Sequence, residues 1–273
     1  MKKISLLSLL FFVFNMATAQ QEISTAYATQ ATNMFAPLDK NRIPHKVLLD
    51  YGFEYTNLKA YNGTLSDSTV VDVPTLKHIY NTIFSSRVTS ATTGFINPNN
   101  FDSNWKNRTA GTITVSGLYY KYNAFINDAI NLGKVNFVNN QFQDKFVSGV
   151  WQNPYQEFQA FAMAPAISKY EGLSFTVKIP STIFYSNYQS LVQSIQIDFG
   201  NGAGYVTVPF NQNVTISYAT EGVKTWKYKL NLTNGTSLLS QSKIDVTQGV
   251  TTIPWGTSIA STSNLSASSV ASS

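Results

Sequence analysis

The chain has 273 residues and no cysteine, with 14% aromatic and only 12% charged side chains, and its 19 Lys and Arg stand against 14 Asp and Glu for a formal +5. Without cysteine no disulfide framework and no thiolate metal or redox centre can form, so packed cores alone must hold the fold; the length suffices for one large domain or two small ones. The basic residues are scattered rather than clustered, which excludes the electrostatic footprint of a nucleic-acid-binding face.

The first residues, Met1-Lys2-Lys3, lead into an apolar run from Ile4 to Phe14 and then Ala17-Thr18-Ala19. Cations, a short apolar core and small residues at an A-x-A site predict a signal peptide over 1–19. The run is too short for a membrane-spanning helix of about 20 residues. No cysteine follows it, so a lipoprotein anchor is excluded. The expected destination is secreted or cell surface, with no stable membrane insertion after signal removal. Residues 20–33, small and polar, are expected to form a flexible leader.

Residues 34–165 read as a β-rich domain with at least one helix. Pro37 and Pro44 force extended geometry on the residues before them, and Asn62-Gly63 is a turn signal of the type I′ kind. Asp72 to Ser86 is the helix: Asp72 caps, Pro74 sits where its missing donor costs little, and Leu76, Ile79, Tyr80 and Ile83 form one stripe. Asn97-Pro98-Asn99-Asn100 reads as a break within a loop. Thr112 to Ala124 reads as a strand in which Ile113 and Val115 give way to Leu118, Tyr120 and Tyr122, a slip that predicts a bulge at Ser116-Gly117. Lys134 to Val138 and Phe146 to Trp151 are further short strands.

Residues 172–247 alternate more cleanly. Phe175, Val177 and Ile179 share a face, as do Ile195, Ile197 and Phe199; Asn201-Gly202 then predicts a hairpin turn. In Lys224 to Leu232, Trp226, Tyr228, Leu230 and Leu232 occupy one face. A one-residue slip would expose them and bury lysines, so the register is tightly set. Short strands at this spacing predict a sandwich. Residues 248–273 form a Ser/Thr-rich linker or tail, uncharged beyond Gly249, which leaves open that the chain is part of a longer protein.

The run Ile197-Asp198-Phe199-Gly200-Asn201-Gly202, then Tyr218 four residues before Gly222, then the alternating strand from Trp226, resembles the PKD family of immunoglobulin-like β-sandwich domains. Ile197 stands for the family's usual Trp and Asn201 for its second Asp. The resemblance implies a fold class that is mainly β, with a PKD/Ig-like sandwich at the carboxyl-terminal end, and a spacer or adhesion role for that module. Its structural motif would be Asp198, Phe199, Gly200, Asn201, Gly202, Tyr218, Gly222 and Trp226. More loosely, residues 35–45 through this module are similar to the amino-terminal region of large secreted Bacteroidetes proteins, which implies an accessory region.

No residue pattern points to a reaction. No Gly-x-Ser-x-Gly elbow occurs; Gly256-Thr257-Ser258-Ile259-Ala260 is nearest and lies in the tail. Cysteines, paired histidines and calcium loops are missing, so no metal site and no cofactor is expected. Asp198 and Asn201 could lend two oxygens to Ca²⁺, but an Asx turn is the simpler use of Asp198. Of the two histidines, His78 stands off the helix stripe and is expected in solvent; His45 follows Pro44 in a loop as a possible site residue. Glu54, Glu157 and Glu171 are available carboxylates that spacing cannot bring together. Tyr119, Tyr120, Tyr122, Tyr185 and Tyr188 are possible contact aromatics for sugar rings. The expected function is that of an exported non-catalytic accessory, spacer or adhesion protein binding glycan, extracellular protein or a neighbouring domain. The alternative is the amino-terminal part of a secreted hydrolase whose catalytic domain lies beyond residue 273.

Overall fold

The computed structural model describes residues 29–90, 93–104 and 109–248. The expected signal peptide, nearly all of the leader and the tail beyond Gln248 lie outside them.

The structure is mainly β. Two five-stranded sheets supply its frame. In the first, β12 (Asn213–Ser217), β8 (Ser174–Lys178), β1 (Thr112–Phe125) and β6 (Tyr155–Pro165) follow in that order, with β9 (Phe184–Ser186) also paired to β1. In the second the order is β11 (Tyr205–Thr207), β10 (Val192–Asp198), β13 (Gly222–Leu232), β14 (Ser237–Thr247) and β7 (Lys169–Glu171). Apolar residues of both sheets meet in one core, where Val177, Ile197, Trp226, Tyr228 and Leu230 are fully buried. The inward face expected for the strand from Trp226 is therefore observed.

Strand β1 organises the chain. It pairs antiparallel with β6 in an unbroken register from Val115 opposite Pro165 to Phe125 opposite Tyr155, so the bulge expected at Ser116-Gly117 does not form on this side. The apparent slip has another cause: both faces of the strand are buried. Ile113, Val115 and Tyr119, with Phe161 and Met163 of β6, enter the core between the sheets. Leu118, Tyr120 and Tyr122, with Ala160, Ala162 and Ala164, enter a second core under the helix α1 (Val73–Ser85). A strand covered on both faces reads as two interleaved apolar series rather than one alternation. Ser116 marks a real change on the opposite edge, where the parallel partner of β1 passes from β8 to β9; its hydroxyl donates to the Ile183 carbonyl at 2.7 Å.

Helix α1 forms as expected. The Asp72 carboxylate accepts the Thr75 N–H at 2.8 Å, and Leu76, Ile79, Tyr80 and Ile83 are all fully buried. The alanines of β6 leave room for Tyr80 and the other large side chains of this face, each contributing roughly 1.5–3 kcal/mol on burial. The strands expected as part of a separate domain over 34–165 thus share a sheet and a core with strands of 172–247. Between residues 29 and 111 the described chain holds helices and 3-10 turns with only isolated bridges, from Val47 to Arg87 within the segment, from Leu48 to Asn123 of β1 and from Val70 to Gln241 of β14.

Three turn readings change. Asn97-Pro98 starts the helix α2 (Pro98–Asn104): the Asn97 side chain accepts the Asn99 N–H at 2.9 Å and proline takes the first turn. At Asn62-Gly63 only the glycine has positive φ, so the pair closes a 3-10 turn over Leu58–Tyr61. The β10–β11 hairpin exists but its loop spans 199–204, because Phe199 leaves the ladder and turns inward. Its ring meets Trp226 edge-on at 5.0 Å, and its carbonyl accepts the Tyr218 hydroxyl at 2.7 Å, which in turn accepts the Trp226 Nε1–H at 2.8 Å. Asp198 accepts the Gly200 N–H at 2.9 Å, the Asx turn of its own loop.

Trp226→Ala is expected to destabilise the fold by about 3–5 kcal/mol, read as a lower urea midpoint at unchanged m-value. A midpoint equal to that of the parent would contradict the inward placement of this ring.

Candidate functional site

The face of β1 and β6 that lines the inter-sheet core continues past the end of that core. Beyond Tyr119 and Phe161 its residues become Lys121, Asn123, Gln159 and Glu157, all polar. Two loops distant in sequence dock there. The loop after Pro44 is fixed by the Asn123 N–H donating to the Val47 carbonyl at 2.8 Å and by the His45 N–H donating to Asn123 Oδ1 at 3.3 Å. The loop after β9 is fixed by Asn187, whose amide accepts the Lys121 N–H at 3.0 Å and donates to the Lys121 carbonyl at 2.8 Å.

Between these loops runs a chain of polar groups. His45 Nδ1 lies 2.8 Å from the Tyr188 hydroxyl, and Nε2 lies 2.8 Å from Glu157 Oε2. Lys121 Nζ donates to Glu157 Oε1 at 2.8 Å. The His45 side chain is only 6% exposed whereas that of Glu157 is 52% exposed, so the chain leads from the interior to solvent. Burial alone would raise the Glu157 carboxyl, but the bonds from Lys121 and His45 outweigh it and hold the group below the usual range. A carboxylate only accepts, so Nε2 carries a proton; in the neutral ring Nδ1 then accepts, and Tyr188 donates to it. The buried Tyr119 hydroxyl lies near the same groups. It has no hydrogen-bond partner among the described residues and is pushed up to about 12, chiefly by burial and then by the charge of Glu157.

The arrangement has the pattern of a base oriented by a carboxylate beside a hydroxyl, with tyrosine in the hydroxyl position. Nothing local in the sequence marks it. His45 lies 112 residues from Glu157 and 143 from Tyr188, and only the β1–β6 pairing brings them together. No local pattern in the sequence marks Lys121 as part of it.

Most of the tyrosines read as possible sugar contacts are placed differently. Tyr119, Tyr120 and Tyr122 are fully buried and Tyr185 nearly so, because β1 is covered on both faces; Tyr185 packs against Tyr80 and Phe101 in the core under α1. Their rings are closed to a ligand. Tyr188 alone among the five is half-buried at a surface cleft. His78 is exposed, as expected. Glu54 and Glu171 are exposed and lie in separate elements from Glu157. Among the described residues no group of three or more His, Asp or Glu is placed to hold a metal ion.

Exposed apolar side chains gather instead on one stretch of chain. Two short hairpins, β2 (Val135–Val138) with β3 (Gln141–Asp144) and β4 (Phe146–Val147) with β5 (Val150–Trp151), project after β1. Asn139-Asn140 and Ser148-Gly149 all have positive φ, the type I′ geometry that joins two strands tightly. Phe137, Val138, Phe146, Val147 and Val150 are between 40% and 65% exposed. The bases of the hairpins are fixed. Phe142 packs on Phe35 and Phe125 at 5.0 and 4.9 Å, Trp151 Nε1–H donates to Asp144 at 2.8 Å, and the Arg42 guanidinium lies over the Phe146 and Trp151 rings.

Because the folded Glu157 carboxyl titrates below its ordinary value, its contribution is present above that value and lost as pH falls through the folded one. Glu157→Gln is therefore expected to lower Tm at neutral pH, with the gap closing below the ordinary glutamate range. A gap that persists or widens in acid would contradict the ion-pair assignment.

A scan against protein-family models finds no family that matches the chain, and a search of curated proteins finds no matching relative.

Proposed function

We propose that this protein is an exported, non-catalytic accessory or adhesion module that contacts glycan, extracellular protein or a neighbouring domain. The observation that carries the reading is the pair of rooted hairpins holding apolar side chains out in water. Exposed apolar residues concentrated on one rigid stretch mark an interaction surface, and tight turns with anchored bases limit the ordering cost of binding.

The PKD-like reading of residues 172–247 has support from strand order. β8 and β12 lie in one sheet, and β10, β11, β13 and β14 in the other. This is the division of an immunoglobulin-type sandwich into its B–E and C–F–G strands. The short β7 runs parallel to β14 at its outer edge. At Ile197, where the family carries Trp, aromatic volume comes from the neighbouring strand: Tyr228 pairs with Ile197 and Trp226 lies two residues along. In this reading β1 and β6 widen the B–E sheet, and the hairpins emerge from the connection between them.

The double variant Val147→Asp/Val150→Asp is expected to abolish retention of the purified protein on glycan- or matrix-coated surfaces while Tm stays unchanged, since both positions are exposed. Retention equal to the parent would sink the hairpin surface. Separately, a broad hydrolase screen giving turnover that His45→Ala abolishes would overturn the non-catalytic reading.

A further inference from the structure

The outer edge of β14 is covered by two segments that leave a gap between them. On one side the Leu239 N–H donates to the Gly63 carbonyl at 2.9 Å, and the Gln241 carbonyl accepts the Val71 N–H at 2.8 Å. On the other the Asp245 N–H donates to the Ser168 carbonyl at 2.8 Å, and the Thr247 carbonyl accepts the Gly172 N–H at 2.8 Å. These bonds fall on every second residue, because backbone groups alternate between the two edges of a strand. Lys243 belongs to the same series, so its N–H and C=O point to this edge. Neither has a backbone partner there among the described residues. From Gln241 to Asp245 the open stretch spans about 13 Å at the usual rise per residue.

This gap opens into a cleft of about 610 Å³, within the roughly 300–1,000 Å³ of ordinary ligand sites. One wall is the start of α1 at residues 72–74, and the other is the connection from β6 to β7 at residues 165–169. Both are held in place. The Asp72 carboxylate accepts the Thr75 N–H at 2.8 Å, the Ala166 N–H donates to the Thr114 carbonyl at 2.8 Å, and β7 is in register with β14 from Lys169 opposite Asp245. Pro74 and Pro165 bring no N–H to the cleft, and with Ile167 they give it apolar walls. Lys169 and Lys243 line it as well and are exposed. Neither ammonium is in an ion pair or hydrogen bond among the described residues. Asp72 is the one acid in the lining and is committed to the helix cap; Asp245 lies outside it.

We propose that this slot binds the carboxyl-terminal end of an extended peptide. The peptide backbone accepts the Lys243 N–H and donates to the Lys243 C=O, which completes the β14 edge between its two covering segments. About three extended residues fill 13 Å. The edge is occupied on either side, so a strand cannot run on past the gap and a chain that ends within it fits. The Lys243 and Lys169 ammonium groups meet the terminal carboxylate, and Pro74, Pro165 and Ile167 receive an apolar side chain. The slot goes beyond the hairpin surface and shares no residue with it.

The test titrates the isotope-labelled full chain with the peptide acetyl-Ala-Val-Ala-Val at neutral pH and follows backbone amides by NMR. The free acid is expected to bind with a Kd of about 1 mM or below and to shift the Lys243 amide signal. The same peptide closed as a carboxyl-terminal amide is expected to bind about tenfold more weakly, and the peptide N-methylated at every residue not measurably. Lys243→Ala keeps the backbone groups and removes the ammonium from an exposed position, so the fold is retained. It is expected to weaken the free acid by about fivefold and leave the amide form unchanged. The Val147→Asp/Val150→Asp protein should bind the free acid like the parent, which separates the slot from the hairpin surface. An unmoved Lys243 amide, equal affinity for acid and amide forms, binding of the N-methylated peptide, or full free-acid affinity in Lys243→Ala would each overturn the proposal. Dimer formation by the chain alone that the peptide competes away would give the slot to a second copy and overturn it too.

Discussion

The double burial of β1 is the constraint on which the rest of this structure depends. A strand with one face in the inter-sheet core and the other under α1 cannot shift by one residue without exchanging two sets of side chains at once. Tyr119 would have to fit beneath the helix and Tyr120 between the sheets. Gly117 tightens the constraint, since a Cβ there would meet Met163 Cγ at 2.7 Å. The register with β6 follows, and with it the position of every residue attached to either strand.

The polar site is a by-product of that register. The two strands run further than the inter-sheet core they line, and between that core and their closing pair Phe125 and Tyr155 the same face carries Lys121, Asn123, Gln159 and Glu157. Apolar side chains at this end would have extended the core. Polar ones need partners, because unpaired charges and amides lose free energy when covered. The loops carrying His45 and Tyr188 provide them. The hairpins follow different physics: their bases pack on Phe35 and Phe125, while Phe137, Val138, Phe146, Val147 and Val150 stay 40% to 65% exposed.

Local patterns were most legible where one face of an element meets solvent. Helix α1 could be read from Asp72, Pro74 and the stripe through Leu76, Tyr80 and Ile83. The strand from Trp226 could be read because lysines alternate with its apolar residues. On β1 the two apolar series look like a slip in one series, and Asn97-Pro98 looks like a break because a capping residue followed by proline is also how loops begin. The tyrosines of β1 looked like contact rings, since composition carries no record of which face is covered. His45 looked solitary because its partners are supplied by β6 and by the loop after β9.

The sequence by itself determined the absence of thiol chemistry, the expectation of export, the helix at Asp72 to Ser86, and the alternating strands of 172–247 with their inward faces. These depend on composition and on spacings of two to four residues, which backbone geometry converts directly into faces. Only the tertiary structure decided that β1 and β6 share a sheet with β8 and β12, that five candidate tyrosines reduce to Tyr188, and that His45 meets Glu157. Those outcomes depend on contacts that span from tens of residues, as between β1 and β6, to 143 residues between His45 and Tyr188, and no local spacing encodes which distant strand will cover a given face.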